Sequence, residues 1–371
     1  MRLALVSPYD LSFPGGVTEH VRHLSAHLAR RGHEVQLIAP ASGDATVPGV
    51  RVRAVTRRVR TWMTNGSIAR IAISPVAAWR VAQFLRDSRP DVVHVHEPAV
   101  PVVGPVGAFL GRAPVVATFH AARDPGWLRS PFSLVLAPLA SRLAARVAVS
   151  APARATAVTY APGSYQIIPN GVDAASFAVD HPVPPMIAGP RPFVLYLGRL
   201  DARKGLGVLV DAFATDPALR KRARLVIAGA YGPRDAAPWI ERCREAGLPD
   251  AAFIGAVSDE SRVAILRHAA VACAPATGGE SHGLVLLEAM AAGTPVIAAA
   301  NAGYCSIVVH EVNGLLVPPG DAGALAGAIG RALDDDGLRR RLIDGGLSTA
   351  RAHDWAGVVD RLEAIYATAS R

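Results

Sequence analysis

Lysine occurs only twice in this chain, at Lys204 and Lys221, and the first falls in Gly198-Arg-Leu-Asp-Ala-Arg-Lys-Gly205, directly after an apolar run of strand length. A compact ammonium at Lys204 and a planar guanidinium at Arg199, set between glycines, can neutralise a diphosphate at two points. A solvated cationic loop is the plainer alternative. The most distinctive segment is Gly278-Gly-Glu-Ser-His-Gly-Leu-Val-Leu-Leu-Glu-Ala-Met-Ala-Ala-Gly-Thr-Pro295. From Leu284 to Ala292 it is apolar on every side except at Glu288, the pattern of a buried helix whose one carboxylate must have a partner. Its glycine-rich approach, with Glu280 one turn before the helix, frees backbone N–H donors for a phosphate, and Glu288 can accept from a ribose diol. An internal ion pair with an arginine would satisfy Glu288 equally.

Phe13-Pro-Gly-Gly-Val-Thr-Glu-His20 opens a helix with Val17, Val21, Leu24 and Leu28 on one face. Gly15 and Gly16 there would let a phosphate approach the positive end of the helix dipole, although a tight turn alone also uses glycine. His120 ends the apolar run Val115 to Phe119. His94, His96 and Glu97 have the look of metal ligands, since residues two apart in a strand share a face. No further spaced ligand follows them, and a hydrogen-bonded strand end is the favoured reading. Asp334-Asp-Asp336 precedes Gly337-Leu-Arg-Arg-Arg-Leu342 and reads as a helix N-cap with complementary end charges rather than a cation site.

The elements that must position these residues alternate short apolar runs with longer segments of helical period, which predicts parallel sheets covered by helices. The first half carries Leu3 to Val6, Val35 to Ile38, Val50 to Val55, Val92 to Val95, Val115 to Phe119 and Val147 to Val149; the second carries Phe193 to Leu197, Leu225 to Ala228, Phe253 to Ile254, Val271 to Ala274, Val296 to Ala298 and Leu315 to Val317. Ala178 to Pro192 holds five prolines and reads as a semi-rigid linker. The organisation expected is an α/β domain over residues 1–187, a second over 188–352, and a C-terminal helix, 353–371, packing back on the first domain. Ligands of such sheets sit beyond the carboxyl ends of strands.

The 371 residues, 51% hydrophobic and 19% charged, can bury two cores and exclude a disordered tail or coiled coil. The net charge of +9 is confined to residues 1–185, which hold 19 basic and 10 acidic side chains against 20 and 20 in the remainder. Nucleic acid, an anionic membrane or a phosphorylated small molecule could each meet that surplus. A nucleic-acid role lacks a basic helix with interleaved aromatics and leaves the second domain without a purpose, so no nucleic-acid partner is expected. Cys243, Cys273 and Cys305 fit no metal or redox spacing and are expected to be buried apolar residues in a reducing compartment. The opening apolar run is too short for a signal peptide, and the longest one is interrupted by Glu288, Gly293 and Pro295, so a cytoplasmic protein, at most peripherally membrane-attached, is expected.

Taken together, Pro14-Gly-Gly16, Thr118-Phe-His120, Pro169-Asn-Gly-Val-Asp173, Gly198-Arg-Leu200 with Lys204-Gly205, and the Glu280 to Glu288 pair resemble the retaining glycosyltransferases of family 4, over essentially the whole chain. The nearest resemblance is to the bacterial phosphatidylinositol α-mannosyltransferases, through Ser7-Pro-Tyr-Asp10, Asn65-Gly-Ser-Ile-Ala-Arg70 and His94-Val-His-Glu-Pro98. The resemblance implies the GT-B architecture, two Rossmann-like parallel-sheet domains facing across a cleft, with a nucleotide sugar on the second and an acceptor on the first. It implies that Arg199 and Lys204 bind the diphosphate, Glu288 the ribose and Glu280 the donor-sugar hydroxyls. Gly16 would lie against the phosphates and His120 near the reacting carbon. Ser281, His282, Gly283 and Leu284 complete the implied donor set, and Val257, Asp259 and Arg262 align with base-reading positions that point to GDP-mannose. Tyr9, Asn65, Ser67 and Arg70 would face an inositol-lipid or related acceptor, with no cofactor and no metal required. The alternatives are a UDP-sugar enzyme with a soluble acceptor, or a sugar-nucleotide epimerase or phosphorylase of the same architecture. Ser74 to Arg89 departs from the lipid-specific relatives in carrying only Arg80, Arg86 and Arg89, with Trp79 and Phe84 interleaved, which weakens the lipid electrostatics but keeps an amphipathic option.

Overall fold

The computed structural model describes residues 1–64, 67–122 and 138–370, and only the backbone of residues 63, 64, 67 and 68. The chain divides into two compact units, residues 1–171 with 355–371, and residues 172–354.

The first unit carries strands β1 (Arg2–Val6), β2 (Glu34–Ala39), β3 (Arg51–Ala54), β6 (Val92–His96), β7 (Val115–Phe119), β8 (Leu143–Ala148) and β9 (Gln166–Ile167) in one parallel sheet of order β3-β2-β1-β6-β7-β8-β9. Strands β4 (Arg60–Thr64) and β5 (Ser67–Ile71) form a separate antiparallel ribbon. Alternate residues feed opposite faces of the sheet. Leu3 and Leu5 pack with the helix Gly16–Arg30 and the terminal helix Trp355–Ala369, while Ala4 and Val6 pack with the helices Pro75–Ser88 and Val103–Leu110. Burial on both faces is why β1 and β7 read as apolar runs, whereas β3 at the sheet edge is exposed at both of its ends and carries arginine.

The second unit repeats the design. Strands β10 (Phe193–Leu197), β11 (Arg224–Ala228), β12 (Ala252–Gly255), β13 (Val271–Ala274), β14 (Val296–Ala299) and β15 (Leu315–Val317) form a parallel sheet of order β12-β11-β10-β13-β14-β15. One face is covered by the helices Leu206–Thr215 and Ala322–Asp334, the other by Asp259–His268 and Leu284–Ala291. In both sheets the strand order reverses beside the first strand, and that reversal opens a crevice at the carboxyl ends.

The expected boundary near residue 188 moves to 171/172. The proline-rich stretch does not span between domains; it is strapped to the second unit. Phe177 and Ile187 are buried in that unit's core, and Arg224 Nη2 donates to the Ile187 carbonyl at 2.7 Å. Two apolar anchors outweigh the prolines, whose missing N–H groups cost nothing on a surface path. Asp335 N-caps the helix Asp336–Ala352, accepting from Leu338 N at 2.8 Å. Cys243 and Cys273 are buried, but Cys305 is exposed in a short 3₁₀ turn, contrary to the expectation for all three. Among the described residues, no helix is long and apolar enough to cross a membrane.

Candidate active site

In the second unit, the segments after β10 and β13, the two strands flanking the reversal, carry the expected donor residues. Lys204 closes a 3₁₀ turn (Ala202–Lys204) and Gly205 follows it at φ +77°. A Cβ on Gly205 would stand 2.0 Å from the Pro275 carbonyl oxygen, so only glycine lets the two loops approach. Thr277 N donates to the Arg203 carbonyl at 2.9 Å, which laces the loops together.

Their side chains converge on one carboxylate. Glu280 Oε1 lies 2.8 Å from Lys204 Nζ and 2.7 Å from Arg203 Nη1. Burial pushes the Glu280 carboxyl up, but Lys204 and Arg203 outweigh it and hold the group below its ordinary value, hence ionised. Arg199 pairs with Asp201 at 2.8 Å, and the buried Tyr196 hydroxyl donates to the Arg199 carbonyl at 2.7 Å. Among the described residues, three cations here meet two carboxylates. The helices Leu206–Thr215 and Leu284–Ala291 both begin at a glycine, with no side chain capping the first turn. Uncapped helix amides beside these cations are groups suited to an anion such as a diphosphate.

The structure brings Glu280, Ser281, His282, Gly283 and Leu284 into one turn at the mouth of the second of these helices, with His282 buried and the other four only partly so. One helical turn and a half further on, Glu288 is 6% exposed and paired with Arg262 at 3.1 Å, and Arg262 also reaches Asp259 at 3.0 Å. The ion pair that the sequence allowed for Glu288 is therefore present, and it joins the position expected at the ribose to the positions expected at the base. Val257 packs partly buried against the same core. Arg203 and Asp201 were missed as members of this cluster, although both sit inside the quoted Gly198 to Gly205 segment; their signal was the two-charge excess around Lys204.

In the first unit, the segments after β1, β6 and β7 gather beside the helix Gly16–Arg30. Its N-cap Gly15 has φ −174°, which any residue adopts, and a Cβ on Gly16 would meet nothing within 4 Å. Neither glycine is needed for backbone conformation, which leaves open space at an uncapped helix start as what they supply. His120 is 5% exposed, and the N–H groups of His120 and Ala121 both donate to Glu97 Oε1. Glu97 is itself buried at φ +49°, a conformation rare outside glycine, so its carboxylate is an anchor for the strand end. His94 is hydrogen-bonded through both ring nitrogens, at 2.7 Å to Tyr366 Oη and at 2.7 Å to Thr118 Oγ1.

Beyond what the sequence singled out, His20, from the helix Gly16–Arg30, packs edge-on to His120 with ring centroids 4.7 Å apart, and His96 lies on the other flank. Burial, with the neighbouring histidines, pushes the His20 imidazole down to about 3, and burial alone does the same for His94. These rings are neutral. His20, His96 and His120 are the one group among the described residues whose nitrogens approach closely enough to share a metal ion. The pattern of a helix position beside two strand ends left no periodic signal by which sequence could pair His20 with them.

Of the residues expected at an acceptor, Tyr9 forms an antiparallel bridge with Ile71, and Asp10 N donates to the Arg70 carbonyl at 3.0 Å, so Tyr9 and Arg70 are neighbours. The Arg70 guanidinium lies 4.2 Å from the Phe13 ring centroid. Asn65 and the Ser67 side chain lie outside the described residues.

Residues 14–176 match the family described as Glycosyltransferase Family 4, and residues 182–348 match Glycosyl transferases group 1. The phosphatidyl-myo-inositol mannosyltransferase of Mycobacterium leprae (strain TN) is 37% identical over 99% of this chain and 97% of its own, and that of Mycobacterium tuberculosis (strain CDC 1551 / Oshkosh) is 36% identical over the same shares. The crystal structure of Anabaena Alr3699/HepE in complex with UDP-glucose superposes with a TM-score of 0.77 at 21% identity, covering 98% of each chain, a likeness of fold. That fold is the GT-B architecture. Family matches on both units and relatives alike over nearly their full length lead to one assignment: the chain belongs to family 4 of the glycosyltransferases and is a glycosyltransferase.

Proposed function

We propose that this enzyme transfers mannose from GDP-mannose to a hydroxyl of an inositol lipid, with retention of the α configuration. The observation that carries the donor half is the Arg199, Arg203, Lys204 and Glu280 cluster at the carboxyl ends of β10 and β13, beside two uncapped helix starts. The acceptor half rests on the relatives of 36–37% identity, which carry the name of that activity over 99% of this chain.

As the bond from the sugar C1 to the β-phosphate oxygen breaks, negative charge grows on the departing diphosphate, where Lys204, Arg199 and the helix amides stabilise it without a divalent ion. The acceptor hydroxyl forms its bond to C1 on the face the diphosphate leaves, and its proton passes to a leaving phosphate oxygen, giving GDP. Glu280 keeps the two cations in place and meets sugar hydroxyls, Glu288 meets the ribose, and Arg262 with Asp259 and Val257 meets the base. His120 serves the sugar near its reacting carbon, and Tyr9, Asn65, Ser67 and Arg70 hold the inositol headgroup.

The lipid acceptor calls for a peripheral membrane contact, and the helix Pro75–Ser88 supports one. Val76 and Trp79 are 55% and 57% exposed on it, with exposed Arg80, Arg86 and Arg89 beside them. An aromatic and aliphatic stripe flanked by arginine suits the headgroup region of an anionic bilayer.

The test is purified enzyme with GDP-mannose and vesicles containing phosphatidylinositol, run against UDP-glucose as donor, soluble inositol phosphate as acceptor, and EDTA. Labelled mannose in the lipid fraction, α-linked and undiminished by EDTA, is expected. Transfer from a UDP-sugar only, or to the soluble acceptor only, would replace this reading with the alternative enzyme.

A further inference from the structure

Asp10 follows Tyr9 in the segment after β1 and is 1% exposed, too buried to meet a substrate itself. Three donors fill its carboxylate: Oδ1 accepts from Ser12 N at 3.1 Å and from Ser42 N at 2.9 Å, and Oδ2 accepts from Ser42 Oγ at 2.7 Å. Ser42 belongs to the segment after β2, so these bonds lace two strand ends together. Ser12 Oγ adds to the lacing by accepting from Gly43 N at 2.9 Å, and Leu11 N donates to the Pro40 carbonyl at 2.9 Å. A buried carboxylate bonded through both oxygens resists displacement, because moving it would leave backbone N–H groups without acceptors.

The main chain of Asp10 reaches the other way. Its N–H donates to the Arg70 carbonyl at 3.0 Å, and its carbonyl accepts from Phe13 N at 3.2 Å. Arg70 lies on β5, opposite Thr61 of β4, and its neighbour Ile71 is bridged to Tyr9. The Arg70 guanidinium in turn rests 4.2 Å from the Phe13 ring centroid. Both ends of this arginine are thus referred to one residue, the backbone directly and the head through Phe13. A two-stranded ribbon is marginal by itself, so its place depends on docking contacts of this kind.

We infer that Asp10 is a positioning residue for the acceptor: its buried carboxylate fixes the turn from residue 10 to residue 13, and that turn fixes Tyr9 and Arg70 at the site. This rests on the reading of Tyr9 and Arg70 as acceptor residues. A guanidinium meets the phosphate of a lipid headgroup through two parallel N–H bonds, a geometry that a small displacement spoils. The hydrogen-bond partners of Asp10 all belong to the first unit, so the residue acts on acceptor use and leaves the donor cluster of the second unit as it is.

Asp10→Ala, Asp10→Asn and Ser42→Ala, each in the full chain, are compared with wild type in transfer from GDP-mannose to vesicles containing phosphatidylinositol, with acceptor and donor varied in turn. Asp10→Ala should raise the acceptor KM and lower kcat/KM for the acceptor by about ten- to a hundredfold, the scale of misplacing a binding group by about 1 Å, with donor KM nearly unchanged. Asp10→Asn keeps an oxygen for the two backbone N–H groups and offers its amide N–H₂ to Ser42 Oγ, so it should recover most of that loss. Ser42→Ala, which removes one bond of the three, should raise the acceptor KM less than Asp10→Ala. Hydrogen exchange gives a readout without any substrate: the amides of residues 10 and 69–71 should exchange faster in Asp10→Ala and as wild type in Asp10→Asn. Equal rises in acceptor and donor KM, or Ala and Asn variants that behave alike, overturn the positioning role. Should Asp10→Ala fail to fold, an unchanged acceptor KM in Ser42→Ala overturns it. Unchanged exchange at residues 10 and 69–71 in a folded Asp10→Ala overturns it whatever the enzyme transfers. Failure to use GDP-mannose or phosphatidylinositol would overturn the proposed substrates while leaving the exchange measurement intact.

Discussion

Replacing Lys204 by alanine removes one of the three cations of the donor cluster and leaves the others in place. Glu280 keeps Arg203 at 2.7 Å, so no buried carboxylate is stranded, and the melting temperature should change little. Catalysis should not be spared. A phosphate oxygen in contact with the ammonium puts the charge centres about 4 Å apart, and at an effective dielectric of about 20 each unit of charge gained by the departing diphosphate is worth about 4 kcal/mol. The Lys204 side chain is 24% exposed, which shades the figure towards about 2 to 4 kcal/mol, or about 30- to 1000-fold in kcat/KM, in line with removal of one oxyanion donor elsewhere. Most of it should fall on kcat, because the charge exists only as the bond breaks. Steady-state transfer measured at varied donor concentration, with thermal melts as control, tests it. A variant that melts normally and turns over at more than half the wild-type rate would refute the assignment of the leaving-group site to this loop.

Three further outcomes follow from the geometry. His20 and His94 have imidazoles pushed down to about 3, so between about pH 6.5 and 3 the unfolded chain binds protons that the folded one refuses; stability is full above about pH 6.5 and falls by about 1.4 kcal/mol per pH unit for each histidine, seen as a steep acid-side loss of melting temperature. Gly205→Ala forces a Cβ to within 2.0 Å of the Pro275 carbonyl oxygen at φ +77°. It should cost about 3 kcal/mol, or about 6 to 12 °C in melting temperature, and weaken nucleotide binding with it. Arg262→Ala takes away a charge partner of the buried Glu288 and should cost about 1 to 3 kcal/mol, part of which the double variant Arg262→Ala/Glu288→Gln should return in denaturant titrations.

Both sheets were legible because strands buried on two faces must be written as continuous apolar runs, and each such run in the sequence lies in or against an observed strand. The β4–β5 ribbon was not, since Arg60-Thr-Trp-Met-Thr64 is exposed on its described positions and carries no core-facing alternation. The domain boundary was misplaced because proline content reports backbone stiffness, whereas two residues, Phe177 and Ile187, decide which core the segment joins. In the donor cluster, residue types revealed Arg199, Lys204, Glu280 and Glu288, yet nothing local could say that Lys204 and Arg203 would share the Glu280 carboxylate across 76 or 77 positions of chain. The histidine group was half visible: alternation placed His94 and His96 on one face, but the partnership of His96 with His120 is a matter of strand neighbours, and that of His20 a matter of helix docking.

The second unit is an insertion within the first. The chain leaves the first sheet after Gly171 and rejoins it at Trp355, and the two crossing points are tied by the Val172 N–H donating to the His353 carbonyl at 2.9 Å. Trp355 and Tyr366, among the largest fully buried side chains, belong to the returning helix, where Tyr366 also holds His94. During synthesis, residues 172–354 have everything they need once they clear the ribosome, while residues 1–171 must wait, with one face of their sheet covered only in part by the helix Gly16–Arg30, for the last helix to emerge. A nascent chain halted before Trp355 should therefore present a protease-resistant later half and a chaperone-dependent earlier one, reversing the usual order in which a two-domain polypeptide matures.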